Sequence, residues 1–210
     1  ILTHIRRSEK VLIMKRLLLI LILTFSFQTW TIASNISEFE VDGVSIGDSA
    51  LDYVDENFIE ENKFYYPNSK KYGTLTISPS DSKLIDFKTF DSIQLNFIDT
   101  DSNYKIHSVR GKILYKKGID MKNCDVIKKD VMNEVEQMFD IKKVNDGKQN
   151  HSADKSGKSK TNTAHMYFDG GKIGVSCLDW HIDMKYWDNF SLAILSEEFS
   201  SWLNNEAFKN

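Results

Sequence analysis

The longest amphipathic pattern in the chain predicts a helix from Met121 to Phe139. Apolar residues repeat there at spacings of three and four, which is the spacing of one face of an α-helix. Asp120 stands at the N-cap position, where a carboxylate can accept a hydrogen bond from a free amide of the first turn. We expect the apolar stripe to lie on a sheet. Its members are Met121, Cys124, Ile127, Val131, Val135, Met138 and Phe139.

Alternating apolar and polar residues predict strands in the middle of the chain. Ser92–Ile98 alternates without interruption, which is typical of a half-buried antiparallel strand. Tyr72–Ser78 is a second strand, and Tyr104–Tyr115 is predicted as a long third one. The apolar phase of the third strand switches next to Gly111, which indicates a β-bulge at that glycine.

The last third of the sequence is again rich in β signals. Ala164–Phe168 and Ile173–Trp180 flank Asp169–Lys172, a turn sequence that predicts a hairpin. Asn189–Leu195 alternates as a further strand, and Ser196 is placed to cap a short terminal helix.

These elements predict an α+β fold, an antiparallel β-sheet with helices packed mainly on one face, in helix–hairpin–helix–hairpin order. Val44–Asn62 supplies the first helix, either as one bent helix or as two short ones. No residue-level repeat relates the two halves. Residues 140–163 hold almost no apolar side chains, so we expect a polar loop there, either mobile or functional.

Residues 14–33 have the pattern of a secretory signal peptide. A basic start precedes the apolar run Leu17–Phe27, and small residues at Thr31 and Ala33 precede the expected cleavage site. The run is shorter than the roughly 20 apolar residues of a spanning helix. Residues 1–13 contain no initiator Met, and we interpret them as upstream read-through.

The expected mature chain, residues 34–210, forms a single α+β domain of acidic charge. Residues 1–33 hold five of the 27 basic residues and one of the 30 acidic ones, which leaves 22 against 29 and a net charge of about −7. Nucleic acid and anionic lipid repel such a charge, so we expect no nucleic-acid partner and no stable membrane association after signal cleavage. The predicted location is periplasmic or secreted.

Lysine outnumbers arginine strongly in this chain, which has four arginines among 27 basic residues. Lysine, asparagine and isoleucine have AT-rich codons, so an AT-rich bacterial genome accounts for the bias. A lysine-rich surface therefore carries little functional meaning here.

Cys124 and Cys177 are the only two cysteines, and export would place them in an oxidising compartment. Cys124 lies on the apolar stripe of its helix, and Cys177 lies on a strand that this helix can cover. We therefore predict a disulfide, with two buried thiols as the alternative.

Carboxylate and imidazole alternate at Asp179, His181 and Asp183. On a strand these three side chains would share one face, and His165 from the paired strand could add a fourth ligand of the kind that zinc accepts. The alternative is a set of scattered polar side chains, and we expect no metal and no cofactor.

Gly157-Lys158-Ser159 is part of a phosphate-loop motif, but the upstream glycine is missing and no strand precedes it. Nucleotide binding is therefore not expected. A narrower interpretation is a weak anion-binding loop formed by Lys155, Lys158 and Lys160 with the loop amides, and the alternative is a solvated loop.

Two segments carry a resemblance. Val44–Tyr53 and Ala153–Ser159 are similar to recurrent segments of uncharacterised small exported proteins of AT-rich marine bacteria, over most of residues 36–204. The element order also resembles the two-layer BamE-like and β-lactamase-inhibitor-like envelope modules, at the level of the fold alone. Members of those groups act by binding protein partners, so the resemblance implies a binding role.

We therefore predict a non-catalytic binding or protein-interaction module, with a protein or small-molecule partner in the cell envelope. No nucleophile motif is present, and no catalytic residue is assigned. The alternative is a small exported hydrolase or metal-binding protein that uses Asp179, His181 and Asp183. An aromatic cluster at Trp180 and Tyr186–Trp187 either forms a binding surface or closes the edge of a core.

Overall fold

Eight strands form one antiparallel sheet in the computed structural model, which describes residues 36–116 and 118–208. The order across the sheet is β3-β4-β5-β6-β10-β9-β8-β7, and two short strands, β1 and β2, pair separately. The predicted antiparallel α+β architecture is confirmed. The expected signal peptide and upstream segment lie outside the described residues. The strands are β1 (Glu40–Val41), β2 (Val44–Ser45), β3 (Phe64–Tyr66), β4 (Ser69–Ile77), β5 (Ser92–Ile98), β6 (Ile106–Tyr115), β7 (Lys143–Asn150), β8 (Lys160–Phe168), β9 (Gly171–Asp179) and β10 (Asp188–Ser196).

Three α-helices accompany the sheet in the described residues: α1 (Glu56–Asn62), α2 (Met121–Met138) and α3 (Glu197–Asn205). The predicted caps are present, because Asp120 accepts hydrogen bonds from two amides of α2 and Ser196 accepts one from an amide of α3. The first helical region is divided into a 3-10 turn at Ala50–Asp52 and helix α1, which is the second of the two predicted forms.

Strand β10 shows how the two faces of the sheet differ. Phe190, Leu192 and Ile194 point to one side, which we call the apolar face. The predicted disulfide ties helix α2 to this face: Cys124 and Cys177 are bonded with their Cα atoms 6.1 Å apart, and Cys177 pairs with Phe190.

The opposite side, which we call the polar face, carries helix α3 at one end. Phe199 and Trp202 of this helix pack against Leu195 and Tyr72, whose ring centroid lies 4.7 Å from that of Trp202. Helix α3 therefore packs on the polar face, whereas the disulfide holds α2 on the apolar face.

The predicted bulge exists, but its position at Gly111 is wrong. The register shifts between Asn96 and Phe97, where Phe97 pairs with Ile106 while Asn96 pairs with Ser108. The extra residue in β6 is therefore next to Ile106, and it causes the change of phase seen in the sequence. Gly111 is regularly paired, and a Cβ atom there would lie 2.5 Å from the ring of Phe90, so this glycine makes room for that ring.

The segment 140–163, predicted as a polar loop, instead contains strand β7 and the start of β8. All residues of β7 are exposed, and the strand forms one edge of the sheet. Polar contacts hold it to helix α2: the buried Lys128 ammonium donates to Asp146 of β7 and, at 2.8 Å, to Asn162 of β8. Asp125 of the same helix accepts a hydrogen bond from Asn162.

The strand order is symmetric about the centre of the sheet, because four consecutive strands run inward from each edge. Strands β3 to β6 form one meander and β7 to β10 form another, and the two join where β6 pairs with β10. Helix α1 precedes the first meander and helix α2 precedes the second. Two four-strand halves therefore meet at the centre of the sheet.

Candidate functional site

The proposed metal-ligand set does not come together. Strand β9 ends at Asp179, and the chain then turns, so the alternation that would align the three side chains is lost. His181 caps the short turn Ile182–Met184, with its Nδ1 atom 3.2 Å from the carboxylate of Asp183, whose side chain is 79% exposed. His165 projects from β8 onto the polar face. Among the described residues, no three His, Cys, Asp or Glu side chains form a group able to hold a metal ion.

The loop that carries Lys155, Lys158 and Lys160 already contains an anion of its own, the carboxylate of Asp154. The carboxylate of Asp154 accepts hydrogen bonds from the amides and hydroxyls of Ser156 and Ser159, at 2.7 to 2.8 Å. These bonds hold the pKa of Asp154 well below its usual value. Lys160 donates to Asn150 and to the Gly157 carbonyl. Two of the loop amides, those of Ser156 and Ser159, are therefore engaged by Asp154, and the sequence pattern did not indicate this role.

The most distinctive surface of the molecule is the polar face. Its long strands, β4 to β10, place no aspartate or glutamate side chain on it, although the chain contains 30 acidic residues. Small polar side chains occupy most positions. One row across the sheet consists of Thr76, Gln94, Arg110, Ala193, Gly174, His165 and Asn145. The next row consists of Ser92, Lys112, Ser191, Ser176, Thr163 and Gly147.

Three cationic side chains occupy the centre of this face. Arg110 and Lys112 lie on β6, and Lys172 lies on β9 with only 4% of its surface exposed. Within the described part of the chain, no carboxylate lies within ion-pair distance of any of them, and no hydrogen-bond acceptor contacts their charged groups.

The electrostatic consequence is a set of lowered pKa values. Burial lowers the pKa of Arg110, and it lowers that of Lys172 with help from the Arg110 charge. The same two causes lower the pKa of Lys112 to about 8. Charged groups that are desolvated without a partner are costly in a folded protein. Such a cost is typical of a site that binds a group of opposite charge.

His165 lies on the other side of a strip of small residues, which consists of Ser191 and Ala193 of β10 and Gly174 and Ser176 of β9. Its Nδ1 atom is buried and has no hydrogen-bond partner in the described residues. Burial, together with the charges of Lys172 and Arg110, lowers its pKa to about 4. Ala193 and Gly174 separate it from Arg110. The strip is therefore flanked by nitrogen-bearing side chains on both sides.

An aromatic loop borders the end of the polar face remote from α3. It connects β9 to β10 and carries Trp180, whose ring centroid lies 4.3 Å from that of His151 and 5.0 Å from that of Tyr186. Ile182 is 82% exposed and Trp187 is half exposed, so the loop is not the edge of a core. Of the two interpretations of this cluster, the exposed surface is the one that the contacts favour.

The sequence held one signal for the cationic centre that the interpretation did not use. Arg110 is the only arginine outside residues 1–16, in a chain whose composition replaces arginine by lysine nearly everywhere. Arginine offers a planar fork of donors that lysine lacks. An arginine at this position therefore provides donors that the lysines around it do not.

Within the described residues, no helix is long and apolar enough to cross a membrane. No protein-family model matches the sequence, and no curated protein or solved structure matches it either. The function must therefore be argued from the geometry of this chain.

Proposed function

We propose that this protein is a non-catalytic binding module of the bacterial periplasm or exterior, and that its polar face binds an acidic partner in the cell envelope. One observation carries the proposal: the strands place Arg110, Lys112 and Lys172 at the centre of that face with no carboxylate beside them. The mature chain begins near Ser34 in this proposal, after removal of the signal peptide.

The charge distribution supports a partner that is acidic. The expected mature chain has a net charge of about −7, so a positive centre is a local exception and not a reflection of composition. A partner carboxylate would relieve the repulsion among the three cations and replace the water that burial has removed. Complementary charges of this kind provide specificity and orient the encounter.

The arrangement of the layers supports the same proposal. If the helices pack mainly on one face, in the predicted helix–hairpin–helix–hairpin order, helix α3 covers only one end of the other face. The centre of that face is buried, while Thr76, Gln94, His165 and Asn145 around it keep surface exposed to a ligand. The likeness to β-lactamase-inhibitor-like modules, which bind proteins, agrees with this use of a sheet. The alternative hydrolase is less well supported, because Asp179, His181 and Asp183 are splayed.

Site-specific photo-crosslinking in the exporting bacterium tests the proposal. A benzophenone amino acid at position 94 replaces Gln94, which neighbours Arg110 on the polar face. The matched control carries it at position 126, in place of the exposed Val126 of helix α2. We expect a cross-linked partner from position 94 and none from position 126, with the cross-linked protein in the periplasmic or secreted fraction. Equal capture at both positions, or none at position 94, would contradict the proposal.

A further inference from the structure

The three cations of the polar face surround a strip of small residues that is two strands wide. Ser191 and Ala193 of β10 and Gly174 and Ser176 of β9 form this strip. Adjacent strands lie about 4.8 Å apart. Arg110 and His165, which are three strands apart, therefore have Cα atoms about 14 Å from each other, with no long side chain between them in the row.

The long side chains around the strip are electrostatically close to one another. The charge of Arg110 acts on Lys112, Lys172 and His165, and the charge of Lys172 acts on His165. The Nζ atom of Lys172 also lies 5.9 Å from the ring centroid of Tyr167, its paired neighbour on β8. Arg110 therefore lies between the two lysines in the sheet and within range of both charges.

We propose that Arg110, Lys112 and Lys172 form a binding subsite for a multiply charged oxyanion, a carboxylate or a phosphate, above the strip of small residues. The proposal deepens the proposed function, on which it rests, by naming the chemical group of the partner. Arg110 provides a fork that bonds two oxygens of one group, and the lysines provide point charges. His165 presents its unpartnered Nδ1 atom from the opposite side.

Two features indicate a ligand and not a structural role. The buried Nδ1 atom of His165 lacks a hydrogen-bond partner in the described residues. Lys172, with only 4% of its surface exposed, forms no ion pair there and has the ring of Tyr167 beside its ammonium. Structural cations in the same protein do have partners: the buried Lys128 bonds Asp146 and Asn162. This protein can therefore bury a lysine and still give it polar partners, as it does for Lys128.

The test uses the purified full-length chain with citrate and inorganic phosphate as probes. Binding is measured by calorimetry at constant ionic strength. Sodium chloride replaces each probe in the reference, because added salt screens exposed charges even when nothing binds. We expect one or both probes to bind. Citrate alone identifies a carboxylate ligand, and phosphate alone identifies a phosphate ligand.

Two variants and one control show where the probe binds. Arg110→Gln and Lys112→Met should each weaken binding at least tenfold, while Lys122→Met, on the exposed side of helix α2, should leave it unchanged. Neither of the two variants should lower the thermal stability of the unliganded protein, because each removes an unpaired charge. In the wild type, the bound probe should raise the pKa of Lys112, measured by NMR.

Binding no better than the chloride reference would overturn the subsite, and so would equal binding by the wild type and Arg110→Gln. The proposed function fails separately. Capture of a partner at position 94 without binding of either probe rejects the subsite alone, whereas probe binding without capture rejects the partner surface.

Discussion

Loss of the Cys124–Cys177 disulfide is expected to lower the free energy of unfolding by about 4 kcal/mol. The bond joins positions 53 residues apart, from helix α2 to strand β9. Cross-linking restricts the unfolded chain, and the loop-closure relation for that separation gives the figure quoted. The closed loop includes the exposed strand β7, which has few apolar contacts of its own to keep it in place.

Two comparisons separate the chain-entropy effect from the packing effect. Both cysteines are buried, so Cys124→Ala with Cys177→Ala also removes two packed sulfur atoms and leaves a small cavity. Wild-type protein kept reduced retains both sulfurs and loses only the bond. We expect the reduced wild type to lose about 4 kcal/mol and the double variant slightly more.

Urea unfolding followed by circular dichroism measures both losses. With a slope of about 2 kcal/mol per molar urea, the midpoint should fall by roughly 2 M. A loss below about 1 kcal/mol in both samples would refute the reasoning. It would mean that the unfolded chain already holds α2 near β9, or that the bond strains the folded state.

The remaining predictions concern single side chains. Lys128→Ala should cost about 3 kcal/mol of unfolding free energy, because it breaks the buried contacts that hold β7. Lys128→Met keeps most of the volume but loses the same contacts, so it should also destabilise the protein; a Met variant as stable as the wild type in urea unfolding would contradict a polar role for this lysine. The pKa of Lys112 is about 8 in the folded protein and 10.5 for the free side chain. Between these pH values the unfolded chain binds more protons than the folded protein, so the free energy of unfolding should rise with pH there. Urea unfolding of Lys112→Met should show no such rise. Parallel pH profiles for this variant and the wild type would refute the role given to Lys112. Gly171→Ala should cost about 3 kcal/mol in thermal unfolding, because the added Cβ atom would lie 2.2 Å from the Leu195 carbonyl oxygen. Gly147→Ala is the control, since a Cβ atom there would have nothing within 4 Å and should change stability little. Similar losses for the two variants would contradict the steric argument.

Elements with one apolar and one polar side could be predicted from the sequence because their periodicity records burial directly. Helix α2 begins at Met121 as predicted and ends one residue early, and strand β5 has the predicted bounds, Ser92–Ile98. The phase change in β6 was also real. Glycine often marks a bulge, but the bulge lies next to Ile106, and Gly111 instead accommodates the ring of Phe90.

Strand β7 could not be predicted in the same way. Its side chains are exposed on both faces, so no alternation marks it, and it pairs with β8 through its backbone. The contacts that hold it come from Lys128 on a helix that precedes it in the chain. A strand whose attachment is polar and distant in sequence resembles a loop in its composition.

The cationic centre depends on register, which single-strand patterns do not contain. Arg110 and His165 share a row only because β6 pairs with β10, β10 with β9, and β9 with β8 in one particular alignment. The metal-ligand hypothesis failed for a related reason. It assumed that the strand continued through His181, but the strand ends at Asp179 and the chain turns.

The seam between β6 and β10 has a consequence for how the molecule assembles. Every other ladder of the sheet joins strands that follow each other in the chain. Each four-strand half can therefore form from local contacts, and such contacts favour fast folding. The seam ladder pairs Ser108, in the middle of the chain, with Leu195 near its end, so it forms only after both halves are in place. The disulfide lies entirely within the second half, so it stiffens that half and leaves the seam without a covalent link. Two fragments divided between β6 and α2 should therefore recombine into one sheet, and the oxyanion subsite, whose arginine lies on one fragment and whose Lys172 lies on the other, would exist only after they do.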